Sequence, residues 1–322
     1  MALLTHLSLE NARALCAAFG LELSAIEPLA HGSVNSNFRL TTLDGTRYFA
    51  RLYEEQPLAG ARVEVELLAT LARRGARVVA PCATAAGERV LLHDNKAFAV
   101  FPWVDGDWLC LRSVTGDHCA AVGAALAEVH LASGDVQPLG PGRFRPDDML
   151  ERLERVEREG PARLGPALAE IRAYYADYLP QRNAELPRGI CHGDLFRDNV
   201  LWRGPEISAL LDFESVAWGT FAYDLMVTAL AWCYTDALVV PHVEAMFRGY
   251  ARVRPLTAAE RAALPVEGAL ACLRFATTRI TDFELRAQPG QAPARDYRRF
   301  LERLTALRSG AFSSAFASLA RI

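Results

Sequence analysis

The 322-residue chain almost lacks lysine: Lys96 is the only one, against 34 arginines. Any chemistry that requires a lysine must use Lys96 or do without it. Paired cysteines are missing too. The seven cysteines are odd in number and scattered, with no Cys-x-x-Cys, which argues against a zinc site or disulfide framework and suits a reducing, cytoplasmic setting. No apolar run, such as 225–234, reaches the roughly 20 residues of a membrane span. No signal peptide is visible, because Glu10 and Arg13 interrupt the moderately apolar start. Basic excess is absent as well. A formal charge of −3 and a pI near 6.2 argue against a nucleic-acid partner. Neither Gly-x-Gly-x-x-Gly nor a Walker-type Gly-x-x-x-x-Gly-Lys occurs, so neither standard phosphate loop is available. What is present is an ordinary globular composition, 51% hydrophobic and 23% charged, in a chain long enough for about two domains.

The pattern changes once along the chain. A helix is expected from Leu9 to Phe19, with Ser8 as N-cap and Gly20 as stop. Strands over 37–42 and 47–54 flank an Asp44-Gly45 turn, and strands over 88–93 and 97–104 turn at Asp94-Asn95-Lys96. Between the hairpins a helix is expected over 62–74, with Val63, Leu67, Leu68 and Leu71 inside. Beyond Asp107 helical periodicity dominates, over 116–132, 146–158, 165–184, 221–236, 238–252, 257–285 (broken at Pro265) and 293–318. The exception is 187–213, where short apolar strands surround a polar loop. This predicts an α+β chain with a strand-rich N-terminal lobe, 1–102, and a larger helical lobe, 103–322. The join at 101–105 is a candidate hinge.

The polar loop carries the chemistry. It reads Cys191-His192-Gly193-Asp194-Leu195-Phe196-Arg197-Asp198-Asn199-Val200-Leu201-Trp202, and Leu211-Asp212-Phe213-Glu214 follows. His192 and Asp194 are two residues apart, Asp194 and Asn199 five, Asn199 and Asp212 thirteen. A kinase-type catalytic loop needs this set: one carboxylate to accept the acceptor hydroxyl's proton, and an asparagine oxygen with a second carboxylate to hold magnesium on the nucleotide phosphates.

These residues resemble the His-Gly-Asp-x-x-x-x-Asn element of the aminoglycoside-phosphotransferase-like, choline-kinase-like superfamily. The wider string is most similar to its kinase-like bacterial homoserine kinases: His31-Gly32-Ser33-Val34-Asn35-Ser36-Asn37-Phe38, Tyr223-Asp224-Leu225, Trp232-Cys233, and Cys272-Leu273-Arg274-Phe275 with Arg279. The resemblance implies a two-lobed protein-kinase-like fold with ATP and Mg2+ as cofactors. It implies Asp194 as catalytic base, His192 as its brace, Asn199 and Asp212 as metal ligands, and Asp224 as an anchor from the following helix. The 31–38 hairpin would lie over the phosphates, with Gly32, Ser33, Asn35 and Ser36 offering N–H groups and side chains to an anion. Kinases carry a phosphate-binding lysine on the third strand, paired with a helix glutamate. Here Arg51 stands in that place, on one strand face with Phe49 and Tyr53. Glu66 is the expected partner and Glu64 the alternative.

The acceptor should be small. Only twelve residues separate Asp212 from Asp224, which leaves no room for a long peptide-presenting segment. For homoserine, the resemblance offers Arg274 and Arg279 as carboxylate partners. Five residues apart on a continuous helix, they point about 140° apart, so one of them faces the pocket. Glu214 is the expected ammonium partner, and Trp232 or Tyr234 a pocket wall. His130 is expected to be a packing residue, and Arg197 to touch phosphate or pair with Asp198. The expected reaction is ATP plus L-homoserine giving ADP and O-phospho-L-homoserine, in threonine biosynthesis. Alternatives are transfer to choline, ethanolamine, a sugar or an aminoglycoside, or nucleotide binding without transfer.

Overall fold

Ser8 opens the first helix as its sequence position predicts. Its Oγ accepts the Asn11 N–H at 3.1 Å and caps α1 (Leu9–Ala17). The computed structural model describes residues 5–29, 34–136, 142, 144–287 and 293–319. By its contacts the chain separates into two compact units. One comprises Met1–Asp107, Leu201–Gly204 and Ser208–Glu214; the other comprises Trp108–Val200, Pro205–Ile207 and Ser215–Ile322.

The first unit is built on β1 (Leu23–Leu29), β2 (Ser36–Thr42), β3 (Arg47–Leu52), α2 (Leu58–Arg73), β4 (Leu91–His93) and β5 (Lys96–Pro102). The strands form one antiparallel sheet in the order β1-β2-β3-β5-β4. Leu40, Ala50, Leu52, Phe98 and Val100 of the sheet pack with Ala12 and Cys16 of α1 as its core. The strand β1 has no counterpart in the sequence reading. Asp94 and Asn95 make the second hairpin turn with φ of 47° and 62°, so Lys96 begins β5 rather than sitting in the turn. Its Nζ is engaged by Glu54 and Thr5. Two later segments join this unit through bridges of Asp107 to Trp202 and Val78 to Leu210. They bring Asp212 and Glu214 with them.

The second unit contains α3 (Gly116–Ala132), α4 (Pro146–Glu159), α5 (Gly165–Tyr178) and β6 (Arg188–Cys191). The strands β7 (Val200–Arg203) and β8 (Glu206–Leu210), most of whose residues belong to the first unit, pair with each other; within the second unit β6 pairs with β9 (Ala217–Thr220). Then follow α6 (Phe221–Trp232), α7 (Val240–Val253), α8 (Ala258–Arg279), α9 (Arg298–Arg308) and α10 (Ser313–Ser318). Helices α3 and α7 touch backbone to backbone. A Cβ at Gly123 would lie 2.2 Å from the Met246 carbonyl oxygen, and one at Gly249 2.0 Å from that of Ala120. Only glycine permits this approach. Pro265 does not break α8, because buried residues on both sides, Leu264 and Leu270 among them, hold the helix in place. The helix instead passes into a π-helical turn at Ile280–Glu284. The expected helix over 293–318 is two helices, parted at Gly310 (φ +80°).

Candidate active site

In the second unit Asp194 follows β6 on a loop held from beneath by one carboxylate. Asp224, fully buried in α6, accepts the His192 N–H at 2.7 Å and the Gly193 N–H at 2.8 Å. Gly193 is left-handed (φ +73°), and a Cβ there would meet the Ser215 carbonyl oxygen at 3.0 Å, so this turn requires glycine. The His192 Nδ1 accepts the Asp194 N–H at 3.3 Å. Asn199 donates its amide to the Asp194 carbonyl oxygen at 2.8 Å, which turns its amide oxygen away from that contact. The guanidinium of Arg274 reaches the Asp194 carboxylate at 3.4 Å and the Gly193 carbonyl at 3.3 Å. It lies 4.0 Å and 3.8 Å from the Phe144 and Phe275 ring centres. Its Nε is buried with no hydrogen-bond partner among the described residues. Arg274 also lines a cavity of about 120 Å3 with Gly193, Tyr175 and Tyr223.

His130 is more than packing. Asp224 Oδ2 lies 3.0 Å from its Nε2, and the Tyr250 hydroxyl 2.7 Å from its Nδ1. An anionic carboxylate needs a donor, so Nε2 carries the proton and Nδ1 accepts from Tyr250. Burial by itself raises the Asp224 pKa, but His130, His192 and the Gly193 N–H together pull it below the usual carboxylate value. Burial lowers the His130 pKa and outweighs the attraction of Asp224. The imidazole is therefore neutral at pH 7.

In the first unit Arg51 is the centre of a charged cluster. It lies between the Phe49 and Tyr53 rings, 5.7 Å and 5.8 Å from their centres, on the strand face that alternation predicts. Asn37, its cross-strand neighbour on β2, accepts from Nε at 3.3 Å. Glu214 is 3.1 Å away and Glu64 3.7 Å. Burial opposes the charge on Arg51, but Glu214, Asp212, Tyr53 and Glu64 raise its pKa overall. Burial pushes Glu64 up to about 7 despite Arg51.

The helix partner is thus Glu64 and not Glu66, which is exposed and faces Arg89 at 3.3 Å. The helix begins at Leu58, four residues before its expected start, and its buried stripe runs Ala61, Glu64, Leu68, Leu71. Glu64 falls in phase with that stripe, and Val63, expected inside, is half exposed. Glu64→Gln is expected to raise KM for ATP about tenfold by loosening Arg51, whereas Glu66→Gln stays within about threefold. Steady-state kinetics in ATP separate the two.

Asp212 has a left-handed backbone, φ +61°, uncommon for a residue with a side chain. Its Oδ1 is buried with no hydrogen-bond partner among the described residues. A buried, unsatisfied carboxylate oxygen is costly unless a cation or donor completes it, so Asp212 fits a divalent-cation ligand.

Other expected positions differ. Glu214 pairs with Arg51 and accepts from the Asn35 amide within the first unit. The Asn35 and Ser36 side chains are buried and turned inward: Asn35 accepts the Glu54 N–H, and Ser36 donates to Glu54. Gly32 and Ser33 lie outside the described residues. Trp232 is no pocket wall; it is buried in α6 and donates Nε1–H to the Leu195 carbonyl at 2.9 Å, propping the loop from within. Arg279 donates to the Asp296 carbonyl at 2.7 Å and lines a different cavity from Arg274, as their spacing on the helix requires. Arg197 donates to the Ala231 carbonyl, while Asp198 pairs with Arg295.

Residues 25–256 match the phosphotransferase enzyme family (APH). The chain belongs to that family. It is 32% identical over 287 residues to the homoserine kinase of Mesorhizobium japonicum, covering 88% of each chain. It is 35% identical over 279 residues to that of Afipia carboxidovorans, covering 84% of this chain and 82% of the relative. Its fold is that of an amicoumacin kinase in complex with AMP-PNP, Ca2+ and Ami, with a TM-score of 0.68 at 17% identity over 95% of this chain and 94% of that one. The protein is a kinase-like phosphotransferase acting on a small hydroxylated acceptor. In this phosphotransferase sequence reasoning misses Tyr250 and the bonding role of His130, and it ranks Glu64 behind Glu66. Only Glu64 left a signal, its phase on α2. No helix among the described residues is long and apolar enough to cross a membrane.

Proposed function

We propose that this phosphotransferase is a homoserine kinase, moving the γ-phosphoryl group of ATP to the side-chain hydroxyl of L-homoserine. The observation that carries this reading is the 32–35% identity to homoserine kinases over more than four fifths of the chain. Asp194 takes the hydroxyl proton as the oxygen forms its bond to the γ-phosphorus. The bond from that phosphorus to the β–γ bridging oxygen breaks, and ADP leaves. Arg274 orients the Asp194 carboxylate. Asn199 and Asp212 would hold magnesium, which supplies neutralisation of charge on the β- and γ-phosphates. Arg51, fixed by Glu64 and Glu214, would meet the nucleotide phosphates where other kinases use lysine. The setting would be threonine biosynthesis in the cytoplasm.

A coupled ATP-consumption assay with L-homoserine, choline, ethanolamine and methylthioribose tests this. Turnover with L-homoserine of about 1–100 s⁻¹ is expected, with kcat/KM for the other three lower by about 100-fold or more. Preference for another acceptor overturns the reading. So does ATP binding without any turnover, which would leave a nucleotide-binding protein.

A further inference from the structure

The second unit has an arginine-rich cavity that the reaction, as derived above, does not use. Its volume is about 740 Å3, and Phe196, Arg197 and Asp198, between Asp194 and Asn199, form part of its wall. Among the described residues five arginines line it, against two aspartates. Both aspartates are engaged. Asp198 pairs with Arg295 at 3.2 Å. Asp296 gives its carbonyl to Arg279 at 2.7 Å and its carboxylate to Arg298 at 3.2 Å.

Arg303 is the telling residue. It is 9% exposed, and its Nη1 is buried with no hydrogen-bond partner among the described residues. Its guanidinium lies 4.4 Å from the Phe300 ring centre, and that of Arg279 lies 4.5 Å from the same centre. One aromatic ring therefore supports two cations. Burial, together with Arg303, Arg295 and Arg299, pushes Arg279 down to about 10. Burial and the neighbouring Arg299 and Arg197 lower Arg303 as well. Cation–π contact moderates such charge but cannot cancel it. A buried, unpartnered guanidinium such as that of Arg303, with four more arginines on the same cavity wall, persists at a cost unless an anion completes it.

We propose that this cavity is an anion-binding site, in which Arg303 and Arg279 hold the carboxylate or phosphate group of a small molecule. A planar guanidinium fork matches either group bidentately. Two sources share that chemistry. One is the acceptor's own carboxylate, an assignment that rests on the homoserine reading. The other is a separate phosphate-bearing metabolite bound behind the catalytic loop.

Titration calorimetry of the full chain with inorganic phosphate, against matched chloride, tests the site without turnover. Wild type should bind phosphate, and Arg303→Met should bind it about tenfold or more weakly, the loss of one charged contact. Arg303→Met strands no partner, so it should fold. The exposed variant Arg299→Gln is the second arm and should weaken binding by about threefold. Absence of phosphate binding in wild type beyond the chloride control overturns the proposal. So does equal affinity in both variants. L-Homoserine then distinguishes the sources. Competition with phosphate, and a KM raised about tenfold in Arg303→Met with kcat within threefold, assigns the site to the acceptor. Phosphate affinity indifferent to L-homoserine, with KM unchanged, assigns it to a separate anion. If L-homoserine is not a substrate at all, the functional reading fails while the phosphate result still stands.

Discussion

Asp194→Asn should lose about 10²–10⁴-fold in kcat, the usual contribution of a general base, while the protein stays folded. The substitution is isosteric. It keeps the backbone N–H to His192 Nδ1 and the carbonyl that accepts the Asn199 amide, so the loop retains its shape. What changes is the acceptor of the proton, since an amide oxygen is far less basic than a carboxylate. Arg274 loses its anionic partner at 3.4 Å but keeps the Gly193 carbonyl. Circular dichroism and the urea midpoint should match wild type, and KM for ATP should stay within a few fold. The measurement is kcat at saturating ATP and acceptor. Turnover near wild type would remove Asp194 from the reaction and with it the assignment of the loop.

The second large effect is one of stability. Asp224→Ala should cost about 3–5 kcal/mol, as breaking a buried charged pair does. Three donors lose their acceptor at once: the His192 and Gly193 N–H groups and His130 Nε2. The His130 and His192 donors cannot turn to water, because both residues are fully buried. Against the 5–15 kcal/mol typical of folded domains, this is a severe loss. Urea unfolding measures it, and a midpoint near wild type would show that Asp224 does not anchor the loop.

The same network makes the protein acid-labile. Folded His130 has a lowered pKa and refuses a proton that the unfolded chain accepts. Stability therefore falls as pH drops below about 6.5, the unfolded histidine value. Asp224, also lowered, adds a loss in the same direction at pH below its unfolded value of 3.8. Thermal unfolding of wild type and His130→Gln between neutral pH and mild acid should show the steeper decline in wild type. Equal slopes would mean that His130 is not held neutral.

The loop geometry is legible because it is local. His192, Asp194 and Asn199 act through hydrogen bonds that span two to five residues, so their spacing is itself the geometry. The Ser8 cap, the hairpins and the face carrying Phe49, Arg51 and Tyr53 follow from equally short-range rules. The missed parts are those in which a residue's partner is distant in the chain. His130 meets Asp224 94 residues later and Tyr250 120 residues later. On α3 alone it is one polar residue in an apolar helix, with no mark of its partner. Trp232 and Glu214 are candidates for pocket roles from what the acceptor needs. One instead reaches back 37 residues to the Leu195 carbonyl, and the other 179 residues to Asn35.

By itself, the sequence determined the family, the candidate loop residues His192, Asp194 and Asn199, and the near absence of lysine that leaves Arg51 on the strand where kinases carry one. Only the tertiary structure decided that Glu64 and Glu214 hold that arginine, that Asp224 and His130 carry the loop, and that Arg274 and Arg279 serve different cavities. Backbone conformation and hydrogen-bond spacing are set within a few residues and can be read along the chain. The partner of a buried charge is set by packing, which brings together residues a hundred or more apart and penalises any charge left without one.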